Sequence, residues 1–257
     1  MSTGVPFWRE QGAGTPIVFL HGVGGNSRAF EGELDRFGAD HRAIAWDMPG
    51  YGNSPGLATY TFAALSDALL RLFDRLKLDR PHVVGHSIGG MVAQEFVAAH
   101  PDRVRSLVLS ATSPAFGNPD GDFQKKFVAA RLAPLDAGQS MTDVAEDVVP
   151  RLVGPNARPD GIQRAKACMA EVAPETFRAM IHTLVTFDRR DTLGKIAVPT
   201  LCLAGETDTN APAPMMEKMA ARIPGARYVC LAGLGHLANL EDPDAFEGAV
   251  RAFLTRL

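Results

Sequence analysis

The chain has 257 residues, 46% of them hydrophobic and 21% charged, with 26 Lys and Arg against 29 Asp and Glu for a formal net charge of −3. That length suits one large α/β or all-β domain, and the apolar content supplies a sizeable core rather than a disordered chain. No basic field exists to hold a nucleic acid, and no apolar run approaches the roughly 18 residues that a bilayer span needs. Met1 to Glu10 has neither a basic nor an apolar leader segment, so a cytoplasmic protein with no membrane partner is expected. Cys168, Cys202 and Cys230 are too few and too scattered for a disulfide framework or a zinc cluster. Cys202 and Cys230 lie in apolar strand-like runs and read as small buried thiols.

In chain order, Pro16 to His21, Arg42 to Trp46, His82 to Gly85 and Val104 to Ser110 read as buried strands. Between and after them, Ser27 to Gly38, Thr61 to Leu76 and Ser87 to His100 carry apolar residues at helical spacing. This alternation is that of a mostly parallel sheet flanked by helices, an α/β fold. From Pro114 to about Lys195 strand signals stop, and Phe123 to Leu132, Thr142 to Leu152, Gly161 to Val172 and Glu175 to Phe187 look helical. Strands return at Pro199 to Ala204 and Arg227 to Leu231, with helices at Pro214 to Arg222 and Pro243 to Leu254. The pattern predicts a core domain of residues 1–113 and 196–257, interrupted before the last two strands by a helical cap, residues 114–195.

Gly85-His86-Ser87-Ile88-Gly89 is a G-x-S-x-G motif between a strand and a helix, the setting of a nucleophile elbow. Such a turn strains the serine backbone and demands small neighbours, and it puts the hydroxyl at a helix N-terminus, where developing negative charge is favoured. A serine alcohol needs a base and an orienting acid. His236, in the small-residue loop Gly233 to Leu237, follows a strand, and Gly205-Glu206-Thr207-Asp208 offers two acids after the first strand beyond the insert. Asp208 is favoured because a G-x-x-D turn reaches back toward the His loop; Glu206 is read as facing solvent or bracing the turn. His21-Gly22-Val23-Gly24-Gly25, directly after a strand, supplies an oxyanion loop, with the backbone N–H groups of Val23 and Ile88 as the expected donors.

Taken together, HGVGG, AWDMPGYGNS, VVGHSIGG, the G-x-x-D turn and GLGHLANLEDP resemble the α/β-hydrolase superfamily over nearly the whole chain. Its chain order of Ser, acid, His assigns Ser87, Asp208 and His236 as the catalytic triad. Asp47 and Tyr51-Gly52 look structural, bracing the oxyanion loop. Only a brief Val5-to-Glu10 run precedes the first buried strand, so the sheet is expected to lack the first strand or two of the family's eight. His236 to Glu241 and the overall size resemble 3-oxoadipate enol-lactonases. Those enzymes carry Arg-Trp-Phe in the cap, whereas the similar place here reads Arg151-Leu152-Val153 and lacks the tryptophan. By that match Arg151 is the expected carboxylate anchor, and Phe123 and Phe127 are expected to line an apolar pocket with other cap phenylalanines.

The resemblance implies a serine hydrolase of a small ester or lactone, without metal or cofactor. The same residues also serve carbon–carbon bond hydrolases of ring-cleavage diketones, perhydrolases and triad-bearing ligand receptors. Serine at the elbow argues against epoxide hydrolases and haloalkane dehalogenases, whose elbow carries Asp.

Overall fold

A computed structural model describes residues 4–116 and 120–257. The leader reading rests partly on residues 1–3, and the predicted cap includes residues 117–119; both lie outside the described residues. The strands are β1 (Trp8–Gln11), β2 (Pro16–Leu20), β3 (Arg42–Trp46), β4 (His82–His86), β5 (Ser106–Ser110), β6 (Thr200–Gly205) and β7 (Arg227–Leu231). They form one sheet in the order β1-β3-β2-β4-β5-β6-β7. Only β1 runs antiparallel, pairing Trp8 with Trp46 and Gln11 with Ala43. Among the described residues β1 is the only strand that precedes β2, and the sheet has seven strands against the family's eight.

The inner strands are buried on both faces, which explains their continuous apolar runs. Alternate residues feed two cores. Ile17, Phe19, Ala43, Ala45, Val84, Val108, Leu201 and Leu203 point to the side covered by α1 (Glu31–Phe37) and α10 (Pro243–Leu254). Val18, Leu20, Ile44, Trp46, Leu107 and Leu109 point to the side of α2 (Phe62–Leu76), α3 (Ile88–Ala99) and α8 (Ala213–Ala220). β7 is an edge strand, and Cys230 on it is exposed, whereas Cys202 on β6 is fully covered. The expected burial of Cys230 is therefore corrected: an apolar run of edge-strand length has one face in water.

Between β5 and β6 lie α4 (Asp122–Asp136), α5 (Met141–Val148), α6 (Pro159–Ala170) and α7 (Pro174–Leu184). Helix α5 starts in a capping box in which Ser140 and Asp143 satisfy each other's backbone N–H groups. Helix α4 runs one turn beyond its periodic signal, through Pro134. Within the insert the only strand-like pairing among the described residues is an isolated bridge between Ala115 and Asp188. The loops after β2, β4, β6 and β7 all leave the carboxyl edge of the parallel strands, the edge at which open α/β sheets place their ligands. Among the described residues no helix is long and apolar enough to cross a membrane.

Candidate active site

β4 runs directly into Ser87, and α3 begins at the next residue. Ser87 has φ of +54° and ψ of −123°, a strained conformation for a residue with a side chain. It is held from three sides. Its N–H donates to Ser110 O at 2.9 Å, Thr112 Oγ1 donates to its carbonyl at 2.7 Å, and α3 presses against the end of β2. That last approach is so close that a Cβ on Gly89 would lie 2.2 Å from Leu20 O, and one on Gly85 would lie 2.6 Å from Gly89 O. Steric exclusion, not flexibility, is why both flanking positions are glycine.

The hydroxyl of Ser87 lies 3.1 Å from His236 Nε2, and His236 Nδ1 lies 2.7 Å from Asp208 Oδ2. An ionised Asp208 can only accept, so Nδ1 carries the proton and Nε2 is free to take one from Ser87. The other carboxylate oxygen accepts N–H bonds from Asn210 at 2.7 Å and Ala211 at 3.1 Å. Burial opposes the charge on Asp208, but the His236 ring and these two N–H groups outweigh it and hold its pKa below the usual range. Glu206 does something else: from an exposed position it accepts the N–H of Gly233 at 2.7 Å and braces the start of the His loop. His86 lies beside His236 with ring centroids 5.0 Å apart, and burial first, then the neighbouring His236, pushes its pKa down to about 3. His86 is therefore neutral at pH 7 and adds no charge against His236.

The loop after β2 is fixed through His21. Its Nδ1–H donates to Gly22 O at 2.8 Å, its Nε2 accepts the Met48 N–H at 2.9 Å, and its ring packs edge-on to Tyr51. Asp47 accepts the N–H groups of Ser27 at 2.7 Å and Asn53 at 3.0 Å, tying the loops after β2 and β3 together. Among the described residues, the N–H groups of Val23 and Ile88 have no hydrogen-bond partner. For Ile88, at the first position of α3, this is the ordinary state of a helix start.

Ser87, His236, Val23 and the insert helices enclose a cavity of about 430 Å³. Phe116, Phe123, Phe127 and Phe177 line it, and Phe123 stands 67% exposed at its edge. Phe187 does not reach it and packs in the core against Phe62. Arg151 is corrected: it lies in a short 3₁₀ turn, its side chain 63% exposed and paired with Asp147, and it is absent from the cavity wall. Among the described residues the arginine on that wall is Arg131, on α4, which a motif match could not distinguish from the other cap arginines.

Sequence reasoning also missed Glu241. This fully buried carboxylate accepts three backbone N–H groups: Gly154 and Gly235 at 2.7 Å on one oxygen, and Leu237 at 2.8 Å on the other. It joins the His236 loop to the insert, and the His236 N–H donates to Leu152 O at 2.6 Å across the same seam. The signal available was an acid five residues after the loop histidine, at the end of a short helix, α9 (Ala238–Glu241), that is too brief to show a period.

Residues 15–243 match the family model described as the alpha/beta hydrolase fold. The chain belongs to the α/β-hydrolase fold family. A Pseudomonas savastanoi pv. phaseolicola protein bearing a provisional carbamate hydrolase name is 29% identical over 252 residues, covering 96% of each chain. A pimeloyl-[acyl-carrier protein] methyl ester esterase of Neisseria meningitidis serogroup B is 30% identical over 246 residues, covering 93% of this chain and 92% of its own. The crystal structure of an enol-lactonase from Burkholderia xenovorans superposes with a TM-score of 0.88 at 25% identity, covering 99% of this chain and 98% of that one. This α/β hydrolase is thus an enzyme of the hydrolase class, and its mostly parallel seven-stranded sheet follows the family.

Proposed function

We propose that the chain is a serine hydrolase of small esters or lactones, with Ser87 as nucleophile, His236 as general base and acid, and Asp208 as the group that orients the imidazole. The carrying observation is the continuous run of hydrogen bonds from Asp208 through His236 to Ser87 at the wall of an apolar cavity. Residues 114–195 act as the cap that shapes this cavity over a core of residues 1–113 and 196–257. The esterase and enol-lactonase names of the relatives agree with this chemistry. The absence of disulfides among three cysteines accords with a cytoplasmic setting.

In this mechanism His236 Nε2 takes the Ser87 proton as Oγ attacks the substrate carbonyl. The oxyanion forms against the N–H groups of Val23 and Ile88, which hydrogen-bond nothing else among the described residues and so need no rearrangement to receive it. His236 then protonates the leaving alcohol, which in a lactone stays attached to the acyl group. Water, deprotonated by His236, attacks the acyl-Ser87 ester, and the acid leaves with the serine restored. Strain at Ser87 keeps Oγ raised toward the substrate. Asp208, held ionised, keeps Nδ1 protonated and stabilises the imidazolium in both steps.

A fluorophosphonate probe and p-nitrophenyl butyrate test the proposal together. The wild type is expected to be labelled once, at Ser87, and Ser87→Ala is expected to lose both label and roughly 10⁴-fold or more of kcat with substrate binding largely kept. Turnover above a tenth of wild type in Ser87→Ala would end the serine mechanism.

A further inference from the structure

Seven arginines lie between residues 114 and 195, and six of them hold a carboxylate: Arg151, Arg158, Arg164, Arg178, Arg189 and Arg190. Arg131 is the exception, with no ion pair among the described residues. It is also the one of the seven that lines the cavity, whose described wall includes no Asp, Glu or Lys. Its guanidinium is built in place. Nη2 donates to Asn210 Oδ1 at 3.0 Å, and the group lies over the Phe127 ring, 5.2 Å from its centroid. Burial, and then the charge of Arg151, push its pKa down, a sign that this cation is partly desolvated without a counter-charge. A guanidinium nevertheless stays protonated at any working pH.

An unpaired cation fixed on an apolar wall is a recognition element, because a ligand anion recovers the electrostatic energy that the protein leaves unused. Nη2 is held by Asn210, and among the described residues the guanidinium makes no other hydrogen bond. We propose that Arg131 selects substrates that carry a carboxylate remote from the scissile bond, so that the cavity takes a half-ester or an anionic lactone in preference to its neutral counterpart. This rests on the ester-hydrolase reading above for the reaction, but not for the binding. Asn210 follows Asp208 by two residues, so the same loop that holds the acid also holds the anchor.

The test uses p-nitrophenyl butyrate and the mono-p-nitrophenyl ester of glutarate, which differ by one carboxylate, at fixed ionic strength. Arg131→Gln is expected to lower kcat/KM for the glutarate ester roughly 10- to 150-fold, the worth of one charge-assisted contact, mainly through KM. The butyrate ester should lose distinctly less, and Arg131→Lys should recover part of the glutarate rate. Equal losses for both esters would overturn the proposal, because a merely structural link to Asn210 would lower both alike. Binding is read separately by calorimetry in the Ser87→Ala background, with monomethyl adipate against dimethyl adipate. Tighter binding of the monoester, levelled by adding Arg131→Gln, supports the anchor even if no ester is turned over, a result that would sink only the hydrolytic reading. Equal affinities for the two adipates would refute the anchor even if turnover is Ser87-dependent.

Discussion

Replacing Glu241 by Gln should damage both stability and turnover, although the residue does not line the cavity. The carboxylate accepts three N–H bonds in a fully buried position, two on one oxygen and one on the other. Glutamine offers a single acceptor oxygen. Turned the better way, that oxygen keeps Gly154 and Gly235, while its NH₂ faces the Leu237 N–H, so one charge-assisted bond becomes a buried donor facing a donor. That loss is about 1.5–3 kcal/mol, and the two surviving bonds weaken as the charge disappears, giving roughly 2–4 kcal/mol in all. For a chain of this size the Tm should fall by about 4–16 °C, with a matching drop in the urea midpoint. Because the released segment carries His236, kcat should fall about 10- to 100-fold, more than KM changes, as expected when a base is displaced by a fraction of an ångström. Glu206→Gln, which loses one exposed bond in the same loop, is the control and should shift Tm by no more than a degree or two. A Glu241→Gln protein within about 0.5 kcal/mol of wild type, with normal kcat, would show that backbone packing alone holds the loop, and the reasoning would fail.

Three further outcomes are expected. Asp208→Asn should lower kcat by about 10³- to 10⁴-fold by mis-setting the His236 tautomer, whereas Glu206→Gln stays within a few-fold; the reverse ranking in one assay would move the orienting role to Glu206. Glu33 is buried on α1 beside Asn239, Arg36 and Arg164, with one carboxyl oxygen lacking a partner, and burial pushes its pKa up from 4.5 to about 8. The native state then keeps a proton that the unfolded chain releases, so this group's contribution to stability is present below about pH 4.5 and is lost as pH rises toward about 8. Glu33→Gln should therefore gain on wild type in Tm between pH 5 and pH 8, and a pH-independent difference would contradict the assignment. Thr112→Val should destabilise the elbow by about 1 kcal/mol, by leaving the Ser87 carbonyl without its hydroxyl donor, and urea unfolding reads this directly.

How much of this was legible in the sequence depended on whether one residue or a meeting of distant ones carried the signal. The inner strands could be read because strands covered on both faces are apolar throughout, and the elbow could be read because steric contact at Gly85 and Gly89 forces a local spelling. β1, by contrast, is four residues of which Arg9, Glu10 and Gln11 are all exposed, and β7 hid the exposure of Cys230 because an edge strand and a buried one share β-branched and apolar letters. In the insert, helices were visible as periods, but their orientation was not. Whether Arg131 or Arg151 faces the cavity depends on how α4 and α5 pack over the sheet, and the nineteen residues between the two arginines contain nothing that reports it. What distinguishes them in space is a missing partner: Arg151 is neutralised four residues away by Asp147, a pairing that the i to i+4 spacing could have suggested, and a neutralised surface arginine makes a poor anchor. Glu241 follows the same logic in reverse. Its acceptors' partners come from Gly154, Gly235 and Leu237, spread over 84 positions of sequence yet gathered at one buried carboxylate. The lesson for this site is that a charged residue should be weighed by the groups that answer it. An acid answered by three N–H groups holds the loop of His236, and an arginine answered by no acid among the described residues faces the cavity.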